Sequence, residues 1–171
     1  MKRFLLIFLP PAFFIVCLDN PASGQEKKDY RYLPGCFDKD GIDTAQIEID
    51  GFGEVTAMDY FSASLEETGL MLYTIPAKKQ GKPAAKNAMT ATQFHVKLWK
   101  NNSRTVAKNE IQLEGVAMVD LRLHMLIENI YLQIITICEG DKIYQLSCFR
   151  DTNDTKHFDA LLAKLKEKKC P

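Results

Sequence analysis

The hydrophobic and polar residues between Met118 and Phe149 form three runs typical of β-strands, joined by two short polar turns. Side chains alternate between the two faces of a strand, so alternating apolar and polar positions indicate one covered face and one polar face. The second run, Tyr131–Cys138, is apolar on both faces, which predicts a central strand covered on both sides. The first run has the apolar set Val119, Leu121, Leu123, Met125 and Ile127 and the polar set Asp120, Arg122, His124 and Glu128.

Further strands and two helices are predicted outside this stretch. Alternation and flanking turn residues predict strands over Ala45–Asp50, Val55–Ser62, Leu70–Ile75 and Arg104–Leu113. Apolar stripes at helical spacing predict helices over Ala84–Lys100 and Thr155–Lys168, and Asp154 is the expected N-cap of the second. The fold class that follows is α+β, with an antiparallel β-sheet of about six to seven strands flanked by a mid-chain helix and a C-terminal helix.

The first 24 residues have the pattern of a signal peptide. Lys2 and Arg3 precede an apolar run, and small residues end at Gly24, where cleavage is expected. The product is then exported, either periplasmic or secreted, with no transmembrane segment after cleavage. A lipid anchor on Cys17 is the alternative, although the bulky residues before that cysteine suit it poorly. We expect residues 25–36 to form a flexible lead-in and residues 37–171 to form a single α/β domain.

Charge gives no reason to expect a nucleic acid or an anionic membrane surface as partner. The whole chain has 171 residues and a formal net charge of zero. Loss of residues 1–24 removes Lys2, Arg3 and Asp19 and leaves 20 basic and 21 acidic residues. Such a balance offers no electrostatic attraction to polyanions. An envelope or extracellular protein, or a small ligand, remains as the expected partner.

Four cysteines follow the expected leader: Cys36, Cys138, Cys148 and Cys170. In an oxidising compartment an even number suggests up to two disulfide bonds. If the last hairpin turns at Gly140-Asp141, Cys138 pairs with position 143 and Cys148 with position 133, which puts the two cysteines on opposite faces. We therefore favour a bridge between Cys36 and Cys170, and Cys138 and Cys148 are equally well explained as buried small hydrophobic residues.

Candidate chemistry is sparse. His95, His124 and His157 have no second metal ligand at the spacings that metal sites use, so neither a metal nor a cofactor is expected. No catalytic sequence motif is present, although a Ser/His/Asp group assembled through space stays open, with His124 or His95 as its base. Carboxylates near Gly41 (Asp38, Asp40 and Asp43) lack the full spacing of a calcium loop and are interpreted as a polar turn.

Asp120, Arg122 and His124 form the sharpest local group. They occupy alternate positions of one strand, so neighbouring side chains stand about 7 Å apart on one face. Two interpretations stay open for them. The first is the floor of a ligand-binding patch with a charge-tuned histidine, and the second is a half-exposed sheet face with cross-strand ion pairs.

The end of the chain resembles the Mog1/PsbP-like α/β/α sandwich of small exported bacterial proteins. The likeness rests on a strand and short turn, an I-Y-Q-L strand, a polar break and an F-x-x-L-L helix, which here are Ile130–Cys138, Asp141-Lys142, Ile143–Leu146, Asp151–Asp154 and Phe158–Leu162. The sequence departs from the family in having only Gly115 where relatives have a G-x-x-G entry, and in its four cysteines. The resemblance implies no shared catalytic residues.

The function expected from these observations is that of an exported, non-enzymatic binding or accessory module. The leader, the compact α/β pattern and the missing catalytic motifs support it. Two alternatives stay open: an envelope protein-interaction or inhibitor domain, and a hydrolase with a spatially assembled site.

Overall fold

The computed structural model describes residues 29–37, 41–61 and 68–171 of the chain. The expected signal peptide, Cys17, Asp38, Asp40 and most of the tip between the second and third strands lie outside these residues. The elements in chain order are a 3-10 helix Leu33–Cys36, β1 Ile42–Ile49, β2 Gly53–Phe61, β3 Thr68–Thr74, a 3-10 helix Ala77–Lys79, α1 Ala84–Leu98, β4 Ser103–Leu113, β5 Val116–Met125, β6 Ile130–Glu139, β7 Lys142–Arg150 and α2 Thr155–Lys166.

The described strands form one seven-stranded antiparallel sheet in the order β1-β2-β3-β7-β6-β5-β4. This sheet and its two helices confirm the predicted α+β fold. Strand β6, expected at the centre, is interior and covered on both faces, while the middle position belongs to β7. The long connection through α1 and β4 explains this order, because it carries the chain to the far edge before β5, β6 and β7 return as consecutive hairpins.

Each face of the sheet has its own core. On one face, which we call the α1 face, α1 packs chiefly against β5 and β6. There Ala88 and Ala91 lie over Val119 and Cys138, and Val96 and Trp99 lie near the end of the sheet. On the other, the α2 face, Leu161 and Leu165 of α2 pack on residues of β5, β6 and β7: Met118, Ile135, Ile137, Tyr144 and Leu146.

The hairpin between β6 and β7 has the register expected from its turn residues. Cys138 pairs with Ile143, and Gln133 pairs with Cys148. Gly140 has φ +59°, the left-handed conformation that a tight turn needs and that glycine adopts at little cost. Cys138 therefore belongs to the core of the α1 face and Cys148 to that of the α2 face.

The expected bridge joins the two ends of the described chain. Cys36 and Cys170, which are 134 positions apart in the sequence, form a disulfide bond with Cα atoms 5.6 Å apart. Residues 29–36, the described part of the expected flexible lead-in, are packed rather than loose, since Tyr30 and Leu33 are fully buried in the α2-face core. The Tyr32 hydroxyl also donates to the Lys169 carbonyl at 3.2 Å.

Two local expectations are corrected. Asp43, assigned to a polar turn, lies within β1 and pairs with Asp59 of β2. Ile127, assigned to the covered face of β5, lies beyond the end of that strand and is 80% exposed. The alternation stops at Met125 because Asn129 turns the chain with φ +53°, and the amides of Leu126 and Ile127 bind Asn102 instead of continuing the ladder.

Candidate functional site

The predicted polar group of β5 faces α2. Asp120 is fully buried and accepts hydrogen bonds from Gln133 Nε2 at 2.8 Å, Arg122 Nη2 at 3.0 Å and Asn109 Nδ2 at 3.3 Å. Asp120 and Arg122 are therefore not on a half-exposed face as one interpretation supposed. They are covered because α2 lies over this part of the sheet.

Arg122 and Gln133 connect this buried carboxylate to α2. Arg122 Nη2 lies 2.5 Å from Asp159 Oδ1, and its guanidinium stands over the Phe158 ring, 5.5 Å from the centroid. Gln133 Nε2 donates to the Phe158 carbonyl at 3.1 Å. Because each buried charge here already has a partner on the protein, the cluster has the properties of a structural joint between α2 and the sheet.

His124, the third residue of the predicted group, lies apart from this joint. Its ring stacks on Tyr131 with centroids 4.6 Å apart, and its Nε2 is 2.9 Å from Asn129 Oδ1 at the β5–β6 turn. The structure thus places the three predicted residues on one face, as the alternation requires. None of the three lines the cavity beside His95 or the groove at the β6–β7 turn.

A cavity of about 250 Å³ lies on the α1 face, where β2, β3 and β7 run out from beneath α1. We call it the His95 cavity. Because α1 sits mainly over β5 and β6, it leaves the far parts of β2 and β3 uncovered on this face. The wall of the cavity consists of Asp59, Tyr60, Gly69, Leu70, Met71, His95, Ile134, Gln145, Ser147 and Phe149.

His95 is the buried polar group of this wall. The residue is 8% exposed, and its Nε2 has no hydrogen-bond partner. Burial lowers the pKa of His95, and the neighbouring Gln145 side chain opposes that effect. The imidazole is consequently neutral at neutral pH. A buried, unpaired imidazole nitrogen is energetically unfavourable unless something binds to it.

Gln145 and Thr136 form a polar floor beneath α1. Gln145 Nε2 donates to the Ala91 carbonyl at 3.2 Å and to Thr136 Oγ1 at 3.2 Å, and its Oε1 accepts from the Tyr73 hydroxyl at 3.4 Å. This floor fixes the helix on the sheet, and its hydrogen bonds leave out three polar side chains of the cavity wall, which are His95, Asp59 and Ser147.

Asp59 stands at the β2 side of the cavity. It pairs directly with Asp43 of β1. Burial raises the pKa of Asp59, and the negative charge of Asp43 raises it further. Within the part of the chain that the structure describes, no lysine or arginine forms an ion pair with either carboxylate.

The sequence analysis did not identify this cavity, although the pattern of residues in β2 contains a sign of it. Val55, Ala57 and Asp59 occupy alternate positions of β2, and the first two are buried. A carboxylate that continues an otherwise apolar face is unusual. His95 is likewise buried on α1, next to the apolar stripe of that helix. The sequence does not show that Asp59 and His95 line the same cavity, because the two residues are far apart in the chain.

The two cysteines of residues 29–37, 41–61 and 68–171 that are outside the disulfide are poor candidates for chemistry. Cys138 is fully buried, and burial raises its pKa to about 11, so its reactive thiolate is rare at neutral pH. Cys148 Sγ lies 3.6 Å from His157 Nε2, but Cys148 is also fully buried, beneath α2. A substrate could not reach either sulfur without opening the core.

An open, charged groove of about 660 Å³ lies at the β4–β5 and β6–β7 turns. Several of its charges have local partners: Arg31 pairs with Asp29, and Glu139 accepts from the Tyr30 amide at 3.1 Å. Across residues 29–37, 41–61 and 68–171, no group of three or more His, Cys, Asp or Glu side chains is arranged to hold a metal ion. In the same ranges, every helix is too short or too polar to span a bilayer.

No protein-family model matches the chain, and no curated protein does. A crystal structure of the protein of unknown function PA94 from Pseudomonas aeruginosa superimposes with a TM-score of 0.43 and 12% identity, over 76% of this chain and 82% of that one.

Proposed function

We propose that the protein is an exported, non-enzymatic module that binds a small ligand in the His95 cavity. The observation that carries this proposal is the unpaired Nε2 of a 92%-buried His95 in the wall of a cavity of about 250 Å³. Ligand sites are typically apolar concavities with a few polar groups that orient the ligand. The His95 cavity has this composition, since Met71 and Phe149 supply apolar surface next to His95 and Asp59.

The unpaired Nε2 of His95 also favours a binding function over a hydrolase function. Ser147 and Asp59 share the cavity with His95, so the three residue types of a hydrolase are present together. An activated serine needs a hydrogen bond from its hydroxyl to the histidine, and His95 Nε2 has no such partner. Labelling of Ser147 by a fluorophosphonate, lost in Ser147→Ala, would replace the binding proposal with the hydrolase alternative.

The cavity can be tested through its own methionine. With ε-methyl-labelled methionines, the Met71 signal reports on the cavity. Met118 and Met125 are buried residues of β5 outside the cavity, and their signals serve as internal references. We expect members of a library of small amphipathic fragments to shift the Met71 methyl signal and to leave Met118 and Met125 in place.

The matched variants are Ser147→Leu, which fills the cavity, and Thr105→Leu, which adds the same side chain at an exposed position of β4. The first should abolish the fragment-induced shifts and the second should retain them. If no fragment moves Met71 in the wild-type protein, the cavity is not a ligand site and the proposal fails.

Export is part of the proposal and has its own test. The basic and apolar pattern of residues 1–24 supports it, as does a disulfide between Cys36 and Cys170, since such bonds persist in oxidising compartments. We expect intact-mass analysis of the protein from its native host to show an N-terminus at Gln25. An acylated N-terminus at Cys17 would establish the lipid anchor instead, and retention of residues 1–24 would refute processing at either position.

A further inference from the structure

We propose that the ligand of the His95 cavity is a small organic cation, a primary amine attached to a short apolar body. This inference rests on the proposed ligand-binding function and adds the chemical class of the ligand. Three features of the described residues support it: a pair of facing carboxylates, a neutral imidazole with an unused nitrogen, and apolar walls.

The facing carboxylates belong to Asp43 and Asp59, which are directly opposite each other on β1 and β2. Like charges at such positions destabilise a sheet unless a cation lies between or beside them. No lysine or arginine in the described part of the chain forms an ion pair with either residue. Asp59 lines the cavity, so an ammonium group inside the cavity would supply the missing positive charge.

His95 adds the second polar contact. The residue is 8% exposed and lines the cavity, and its Nε2 is buried without a partner. A neutral imidazole accepts one hydrogen bond through its unprotonated nitrogen. An ammonium group has three donors, and one of them can reach the Asp59 carboxylate directly. Nε2 of His95 is closed to solvent as the ring stands, so a second donor reaches it only when the imidazole turns toward the cavity. A carboxylate ligand would face the negative charge of Asp59 at the same place.

The walls distinguish an organic cation from a metal ion. Met71, Ile134 and Phe149 give much of the cavity an apolar surface, which an inorganic ion cannot use. Within the described residues no three metal-ligating side chains converge. A compound with an ammonium head and a short hydrocarbon or aromatic body matches both parts of the wall.

The test compares three probes with the same body: phenethylamine, 2-phenylethanol and 3-phenylpropanoate. Each is titrated into ε-methyl-labelled protein while the Met71 signal is followed, and zinc chloride and calcium chloride are titrated separately. We expect phenethylamine to bind at least about tenfold more tightly than the alcohol, the ratio that one charge-assisted hydrogen bond produces. The carboxylate should bind more weakly than the alcohol, and neither metal should shift Met71.

Asp59→Asn is the decisive variant, because it removes the charge and keeps the shape. It should reduce phenethylamine to the affinity of the alcohol without changing the alcohol's own affinity. Glu54→Gln is the matched control, since Glu54 faces Glu48 on the same two strands but does not line the cavity. This control should retain the amine preference. Unchanged Met118 and Met125 signals show that each variant is folded.

The outcomes separate this inference from the function it rests on. Equal binding of all three probes, or Met71 shifts with a metal ion alone, would overturn the proposal that the ligand is an amine. Either result would leave the proposal of a ligand-binding cavity intact. The amine is also overturned if no probe moves Met71 while other fragments do. If no compound of either kind moves Met71, both proposals fail.

Discussion

One nitrogen of Arg122 on β5 contacts two carboxylates, Asp120 on its own strand at 3.0 Å and Asp159 on α2 at 2.5 Å. The two acids differ greatly in exposure, because the Asp120 side chain is fully buried and that of Asp159 is 66% exposed. The Arg122 guanidinium therefore pairs with one carboxylate that has no access to water, Asp120, and with one that is largely hydrated, Asp159.

The two ion pairs should differ in their contribution to stability. Arg122→Met leaves the Asp120 carboxylate buried without a cation, and we expect a loss of about 3–5 kcal/mol in unfolding free energy. Asp159→Asn removes only the exposed partner and should cost about 1 kcal/mol or less. Urea denaturation of the two variants beside wild type measures both values. Equal losses would contradict the view that burial of Asp120 decides the energetics of the joint.

The disulfide between Cys36 and Cys170 should stabilise the fold in oxidising buffer alone. It closes a loop of 134 positions, so it restricts the unfolded chain strongly. We expect Cys170→Ser to lose about 2–4 kcal/mol relative to the oxidised wild type.

The control is the same pair of proteins in a strong reductant, where their melting temperatures should coincide. Identical melting of wild type and variant in both buffers would show that the bond does not contribute to stability. Retention of a difference in reductant would point instead to packing of the terminal segment, where the Tyr32 hydroxyl binds the Lys169 carbonyl.

Gly51 in the β1–β2 turn should be the more demanding of two neighbouring glycines. It has φ +92°, and a Cβ there would lie 2.9 Å from Thr90 Cγ2 of α1. Gly53 has φ +88° and nothing within 4 Å of such a Cβ. Both alanine variants pay the left-handed strain of about 1–2 kcal/mol. Gly51→Ala should lose about 1–3 kcal/mol more, because it also crowds the helix.

Thr90→Ser provides the rescue experiment for this contact. It removes the crowding methyl and keeps the hydroxyl that donates to the Lys86 carbonyl at 2.9 Å. The double variant Gly51→Ala/Thr90→Ser should regain most of the additional loss in thermal or urea denaturation. Failure of the rescue, or equal cost at Gly51 and Gly53, would mean that the β1–β2 turn does not press on α1.

His95 should make stability depend on pH in the mildly acidic range. Burial lowers its pKa in the folded state below the unfolded value of 6.5, so the unfolded chain binds the proton more readily. The stabilising contribution is then complete above the unfolded pKa and is lost as the pH falls through the folded pKa. His95→Gln removes this titration and should flatten the fall in unfolding free energy between about pH 7.5 and about pH 5.

The measurement is the difference between wild type and His95→Gln at each pH, which cancels the contribution of the other titrating groups. His124→Gln is the matched control, since that histidine lies at the β5–β6 turn. The unfolding free energy of His124→Gln should fall with decreasing pH as steeply as that of the wild type. A wild-type profile no steeper than that of His95→Gln would show that the imidazole is not held neutral by its surroundings.

Much of the architecture follows from local pattern. Alternation and turn residues specify the strands from β4 to β7, the Gly140 hairpin and the separation of Cys138 from Cys148 onto opposite faces, because the side-chain period of a strand and the register of a tight turn depend on near neighbours. The helical stripes similarly specify α1 and α2 to within two residues at either end.

What surrounds each face was decided by the tertiary structure. Asp120 and Arg122 have the same alternation whether they face water or a helix, and only the docking of α2 buries them. His95 and Asp59 are 36 positions apart in the chain, and they share a cavity because α1 rests over β5 and β6 and leaves β2 and β3 partly uncovered. The sequence by itself determined the strands, the helices and the faces on which polar residues lie. Long-range packing, which depends on how all the elements fit together, determined which of those residues became a joint and which became the wall of a cavity.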